Sequence, residues 1–141
     1  MVRRLRAVTR FPPVQKTIRS LPSGAKIPVV DNSGAKTVEL ITVLGHKVTR
    51  GGNPSASIGD MVVVTVKKGK PDIKKKVVRA IIVQTRQKFR RPDGSTLHFE
   101  NNAAVVVDED GNPRGSEIKG AVAREAVDRW PGLGKVASVI V

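Results

Sequence analysis

From Lys26 onward, short apolar runs alternate with clusters of turn-forming residues, the pattern of a β protein. Ile27-Pro28-Val29-Val30 stops at Asp31-Asn32-Ser33-Gly34, whose side chains and glycine suit a turn. Thr37–Leu44 is rich in β-branched residues and ends at Gly45. Residues 50–59 hold Gly51, Gly52, Asn53, Pro54 and Gly59, too many breakers for a regular element. Met61–Val66 reads as a short apolar strand, and Val77–Thr85 as another with Ala80-Ile81-Ile82-Val83 at its buried centre. Arg91-Pro92-Asp93-Gly94 predicts a hairpin, because proline sets φ at the second turn position and glycine follows. Leu97–Phe99 and Ala103–Val107 continue the sheet until Asp110-Gly111-Asn112-Pro113 turns the chain again.

Five or six short strands without a long helical pattern between them predict a mainly β fold, a small antiparallel barrel. The C-terminal part differs. Val122, Ala123, Ala126 and Val127 share one helical face, bounded by Gly120 and Pro131, so a short helix is expected there. Val136–Val141 reads as a last strand. Residues 1–22, with Pro12, Pro13 and Pro22 and no clear period, read as an extended basic arm ordered by its partner. Residues 23–141 then form a single domain.

The length, 141 residues, agrees with one domain and one core. Charge changes the picture more. The chain carries +14, and the surplus is not spread evenly. Residues 1–22 hold six basic groups and no acid; residues 67–91 hold eleven basic groups against Asp72 alone; residues 92–141 carry −3. Segregation on this scale calls for a polyanion. A membrane surface fits less well, since no apolar run approaches the ~18 residues of a span, and a basic transit peptide is the weaker reading of the N-terminus. The absence of cysteine excludes disulfides and thiolate metal sites, and an intracellular, soluble protein is expected.

Catalytic patterns are missing. His46 and His98 are the only near-neutral bases, and His98 falls in an expected strand beside Phe99, where packing or exposure is the ordinary role. There is no G-x-S-x-G elbow. Gly115 to Gly120 lacks the Lys and Ser/Thr of a phosphate loop, with Ala121 and Val122 in their place. Asp108-Glu109-Asp110-Gly111 has its glycine at the fourth position rather than the sixth of a calcium loop, so an acidic turn is expected.

The candidate chemistry is the basic stretch: Lys67, Lys68, Lys70, Lys74, Lys75, Lys76, Arg79, Arg86, Lys88, Arg90 and Arg91. A lysine-rich edge that resists aggregation would explain a few of these charges, not eleven. Lys74 and Lys76 would share a strand face with Lys75 on the other, so Lys67–Lys76 reads better as a loop or ribbon that enters RNA. Arg90 and Arg91, at the expected hairpin tip, suit bidentate phosphate contact. Aromatics are 3% of the chain (Phe11, Phe89, Phe99, Trp130), too few for a base-stacking platform; phosphate and RNA shape are the better-supported targets.

Several motifs carry a family resemblance. Ala80-Ile81-Ile82-Val83, Asp93-Gly94, Phe99, Asn102 and Val105-Val106, at their spacing, resemble the signature of the ribosomal protein family L-fourteen. Asp31-Asn32-Ser33-Gly34-Ala35, Gly59-Asp60, Arg90-Arg91-Pro92-Asp93-Gly94 and Val122-Ala123-Arg124-Glu125 are similar to it as well. Lys67-Lys68-Gly69-Lys70-Pro71 and Arg129-Trp130-Pro131 resemble its archaeal and eukaryotic branch. Ala121 stands where the family usually has proline, so a looser entry to the helix is expected.

The resemblance implies a small five-stranded antiparallel barrel with a small helical C-terminal part, and a non-enzymatic structural constituent of the large ribosomal subunit in the cytoplasm, without cofactors. Its partners would be large-subunit ribosomal RNA, small-subunit ribosomal RNA at intersubunit bridges, ribosomal proteins three and twenty-four-e, and the anti-association initiation factor six. That factor would dock on the C-terminal part, whose −3 charge disfavours RNA, with Ser116, Glu117, Asp128 and Arg129 as polar rim. Trp130 is either a plug for the barrel end or an exposed anchor of that interface. A free nucleic-acid-binding factor on a barrel of the oligonucleotide-binding type is the alternative from a different class.

Overall fold

A computed structural model describes residues 18–45 and 51–141. Among these, eleven strands run in chain order: β1 Leu21–Pro22, β2 Lys26–Pro28, β3 Ala35–Val43, β4 Ser55–Ala56, β5 Met61–Gly69, β6 Val77–Gln84, β7 Phe89–Arg90, β8 Thr96–Leu97, β9 Ala103–Val107, β10 Ile118–Val122 and β11 Ala137–Ile140. Helix α1 spans Arg124–Arg129, and a 3₁₀ turn follows at Pro131–Lys135. Strands β2-β3-β5-β6-β9 form one antiparallel sheet, while β10 and β11 pair in parallel and β7–β8 make the expected hairpin.

The sheet is bent rather than closed. Three irregularities interrupt the β3–β5 register and one the β6–β9 register, and such bulges bend and twist a strand pair. The outer strands meet at one parallel bridge, Val29 with Ala104, where the Val30 amide donates to Ala104 O at 3.2 Å. The expected barrel is therefore corrected to an open five-stranded sheet. Its closing edge has a physical limit: β2 ends at Pro28, which offers no N–H, and the chain leaves for the Asp31–Gly34 turn.

Alternation along the strands fills two cores. Val62, Val64, Val66, Val78, Ala80, Ile82, Ala104 and Val106 face the first, with Ile27, Val38 and Leu40. Ile81, Val83, Ala103, Val105 and Val107 face the second, which Ile118, Val122, Ala126, Trp130 and Leu133 of the C-terminal part cover. Strands β6 and β9 are thus buried on both faces, which explains their nearly continuous apolar runs.

Three local expectations change. Of the expected arm, residues 1–17 lie outside the described residues, but Leu21 is buried and the Ser20 amide donates to Ala56 O, so the chain joins the fold before residue 23. The β8 strand ends at Leu97, leaving His98 exposed outside any strand, because this short hairpin pairs only with β7. Ala121 and Val122, expected at the entry to and within the helix, lie instead in β10, paired with Val139 and Ile140, and the helix begins only at Arg124 with no side-chain cap at Ala123.

Candidate nucleic-acid interface

The basic stretch divides in space. Strand β6 separates Lys67–Lys76 from Arg86–Arg91, and eight residues at about 3.3 Å each put its ends roughly 23 Å apart. One run in sequence becomes two surfaces.

At the first end, β5 carries Lys67 and Lys68, and the chain turns back through residues 70–76. The turn is compact. Amides of Ile73 and Lys74 donate to Lys70 O, and the Lys75 amide donates to Val66 O at 2.8 Å. Ile73 packs against the first core and anchors the loop from within. Lys75 sits at φ 66, a conformation sparsely used by residues with a Cβ. Lys68, Lys70, Lys74, Lys75 and Lys76 are all exposed, and none has a carboxylate partner among the described residues. Lys67 meets Glu39 at 3.3 Å, an exposed pair that adds little to stability.

Arg79 stands apart from both ends. It lies within β6, half-buried, beside a depression of about 300 Å³ that Glu109 and Arg114 also line.

At the second end the candidates differ in role. Arg86 is exposed but orders the loop before β9: its Nε donates to Glu100 O at 2.9 Å and its amide to Asn102 Oδ1 at 3.0 Å. Lys88 and Arg90 are exposed and without carboxylate partners among the described residues. Arg91 departs from the expected tip role. It turns inward, donating to both Glu125 oxygens at 2.8 and 3.3 Å and to Val141 O at 2.6 Å. The turn runs from Arg91 to Gly94, and alternation from buried Phe89 puts Arg90 on the outer face and Arg91 on the inner one, toward the helix. Asp93 closes the turn; the Ser95 hydroxyl and then its amide hold the Asp93 carboxyl below its ordinary value.

The C-terminal candidates also separate. Ser116, Glu117 and Asp128 are exposed. Arg129 and Trp130 are buried, so neither forms an open rim. Arg129 donates to Asp60 Oδ1 at 2.7 Å and to Gly59 O, which also accepts from Trp130 Nε1 at 2.8 Å. Trp130 is the plug: its ring lies in the second core against Gly111, where a Cβ would collide with ring carbon Cε3.

Phe89 is buried and Phe99 half-buried, so the described rings offer no open stacking platform. Two basic residues escape a reading based on charge density. Lys36 and Lys119, from segments close to neutral or acidic, border the same cleft as Lys70. Their isolation in sequence removed the signal; only their position relative to the Asp31–Gly34 turn restores it.

These features define a small, mainly β, strongly cationic protein with its basic side chains held on strand ends and its rings turned inward. The sequence model of the family Ribosomal protein L14p/L23e matches residues 20–141, and the chain belongs to that family. The family implies a structural protein of the large ribosomal subunit, acting in translation and generally without enzymatic activity.

Proposed function

We propose that this protein binds large-subunit ribosomal RNA through both basic ends of β6, and that it contributes to intersubunit bridges with small-subunit ribosomal RNA. One observation carries the reading. Seven exposed cations (Lys68, Lys70, Lys74, Lys75, Lys76, Lys88 and Arg90) stand on ordered backbone without a carboxylate among the described residues. Each group of like charges, unmatched on its own surface, attracts phosphate. The buried rings favour phosphate recognition over stacking, which also weighs against a free factor of the oligonucleotide-binding type.

The acidic C-terminal surface with Ser116, Glu117 and Asp128 is the side we assign to protein partners, namely ribosomal proteins three and twenty-four-e and initiation factor six. The motifs Lys67-Lys68-Gly69-Lys70-Pro71 and Arg129-Trp130-Pro131 support membership of the archaeal and eukaryotic branch. Arg129 and Trp130 support that surface from behind rather than touching a partner.

Replacing Lys68, Lys74, Lys75 and Lys76 together with glutamine tests the RNA contact. Affinity for large-subunit ribosomal RNA should fall by ~10² or more in dilute salt while the thermal midpoint stays within a degree or two. Unchanged affinity would place the RNA contact elsewhere. Co-sedimentation with the large subunit at high salt separates an integral constituent, which remains, from a loosely bound factor, which washes off.

A further inference from the structure

Three lysines from three separate elements surround one cleft beside the Asp31–Gly34 turn. Lys36 lies near the start of β3, Lys70 directly follows β5, and Lys119 lies in β10. All three are exposed, and among the described residues none pairs with a carboxylate. The cleft holds about 350 Å³ and no aromatic ring lines it. Sites for organic ligands begin at about this volume but are usually walled by aromatic rings, whereas here three cations supply most of the polar lining. A compact anion fits this one better.

The walls are held by backbone. At Gly69 a Cβ would lie 2.7 Å from Gly34 O and 3.0 Å from Ala35 Cα, so glycine is what lets the end of β5 lie against the turn. The Lys70 amide then donates to Gly34 O at 3.0 Å, and the aliphatic stem of Lys70 covers Gly34, with Cδ 3.2 Å from where a side chain would begin. Opposite, the Lys119 amide donates to Val30 O at 2.8 Å, and Lys36 O accepts from the Val29 amide at 2.9 Å. All three side chains therefore start from fixed points and lose little backbone freedom on closing over an anion.

Asp31 also lines the cleft, but its carboxylate is committed elsewhere. Oδ1 accepts from the Ser33 amide at 3.2 Å and the Ser33 hydroxyl at 2.6 Å, and Oδ2 accepts from the Val106 amide at 2.9 Å. The residue is 8% exposed, so its charge is turned into the fold and met by three donors.

We propose that the cleft seats one phosphodiester of RNA, shared by Lys36, Lys70 and Lys119. The inference rests on the RNA-binding reading above and adds two lysines outside the basic stretch. The shared chemistry is a phosphate group, so a free phosphate is the competing occupant.

The test is the salt dependence of RNA affinity for the full chain carrying Lys36→Gln, Lys70→Gln and Lys119→Gln together. The Lys88→Gln, Arg90→Gln pair serves as comparison. Each neutralised phosphate contributes about 0.7 to 0.9 to the slope of log affinity against log salt. One shared phosphate therefore predicts a loss of about 0.7 to 0.9 for the triple variant, at unchanged thermal midpoint. A loss near 2 or more would mean three separate phosphates and overturn the cradle. An unchanged slope would mean three solvated lysines and overturn it as well.

A wild-type protein whose affinity is flat in salt would sink the RNA-binding reading itself. The cleft is then judged alone, by amide shifts during titration with inorganic phosphate. Saturable shifts at Gly34 and Lys119 that vanish in the triple variant would assign a free-phosphate site, and no shifts would assign none. Either result refutes the phosphodiester. Where the wild type is salt-dependent, the comparison pair should lower its slope whatever happens at the cleft.

Discussion

Arg91 holds Glu125 through both carboxylate oxygens, Nε to Oε1 at 2.8 Å and Nη2 to Oε2 at 3.3 Å, and so ties the basic hairpin to helix α1. The side chains are 17% and 6% exposed, and Nη2 also reaches Val141 O. Arg90, its neighbour in sequence, is exposed and makes no such contact. Two adjacent arginines thus serve different links of the chain from sequence to function.

Their substitutions should therefore separate. Arg91→Ala strands a mostly buried carboxylate and should lower stability by about 2–3 kcal/mol in chemical denaturation. Arg90→Ala should leave stability within ~0.5 kcal/mol and weaken RNA binding several-fold. Equal effects of the two on stability would show that the inward pairing contributes nothing.

Asp60 is the second tie, and a deeper one. Its Oδ2 accepts from the Ser57 amide and hydroxyl and from Arg19, and its Oδ1 from Arg129. Asp60→Ala removes the buried carboxylate that meets Arg129 and both Ser57 donors and should cost about 3 kcal/mol or more. Arg19→Ala removes a partner that is 37% exposed, so under ~1 kcal/mol is expected. Urea unfolding of the two variants checks the contrast. A small loss for Asp60→Ala would mean that the other contacts of Arg129, the Gly59 carbonyl and the Trp130 ring among them, suffice to hold it.

Gly111 has φ 87 and faces the Trp130 ring, where a Cβ would overlap ring carbon Cε3 and stand 2.9 Å from Cζ3. Gly111→Ala combines left-handed strain with a clash in the second core and should cost about 3 kcal/mol. Gly94→Ala, at φ 92 with nothing within 4 Å, should cost only the strain, about 1–2 kcal/mol. The chain has one tryptophan, so its fluorescence reports on the first variant and should not change in the second. An unshifted spectrum in Gly111→Ala would mean the turn, not the ring, yields.

Asp93 supplies a pH dependence with a definite sign. Ser95 bonds lower its folded pKa below the unfolded value of about 3.9, so the contribution is full above that value and is lost as pH falls through the folded pKa. Ser95→Ala should move the Asp93 titration upward toward the unfolded value, as followed by carboxyl carbon shifts. A titration that stays put would transfer the cause from Ser95 to the Arg91 charge, a weaker lowering influence.

Much of the fold is legible in the order of residues. The apolar runs at Met61–Val66, Val77–Thr85 and Ala103–Val107 become three adjacent strands, because side-chain alternation and burial act locally along each run. The turns at Asp31–Gly34 and Arg91–Gly94 follow from side-chain and glycine chemistry within four residues, while the turn expected at Asp110–Pro113 forms two residues earlier, at Asp108–Gly111, because Pro113 bridges Val107. The candidate site was legible only as a charge density.

What the sequence by itself determined is the strands of the main sheet, a short C-terminal helix, the polyanion-seeking charge and, through motifs at fixed spacing, the family; β10, which takes Val122 from the expected helix, was not legible. Each legible feature depends on nearby neighbours, on the fixed spacing of motifs along the chain or on totals. The tertiary structure alone decided that the sheet stays open, that β6 divides the basic stretch in two, and that Arg91 and Arg129 point inward while Arg90 points out. It also decided that Lys36, Lys70 and Lys119 share a cleft. The reason is physical: a cation's role is set by the nearest carboxylate or carbonyl. Glu125 lies 34 positions from Arg91, and Asp60 lies 69 from Arg129. Pairings over such separations are made by sheet register and by the cover of the second core, and neither leaves a local trace in the chain.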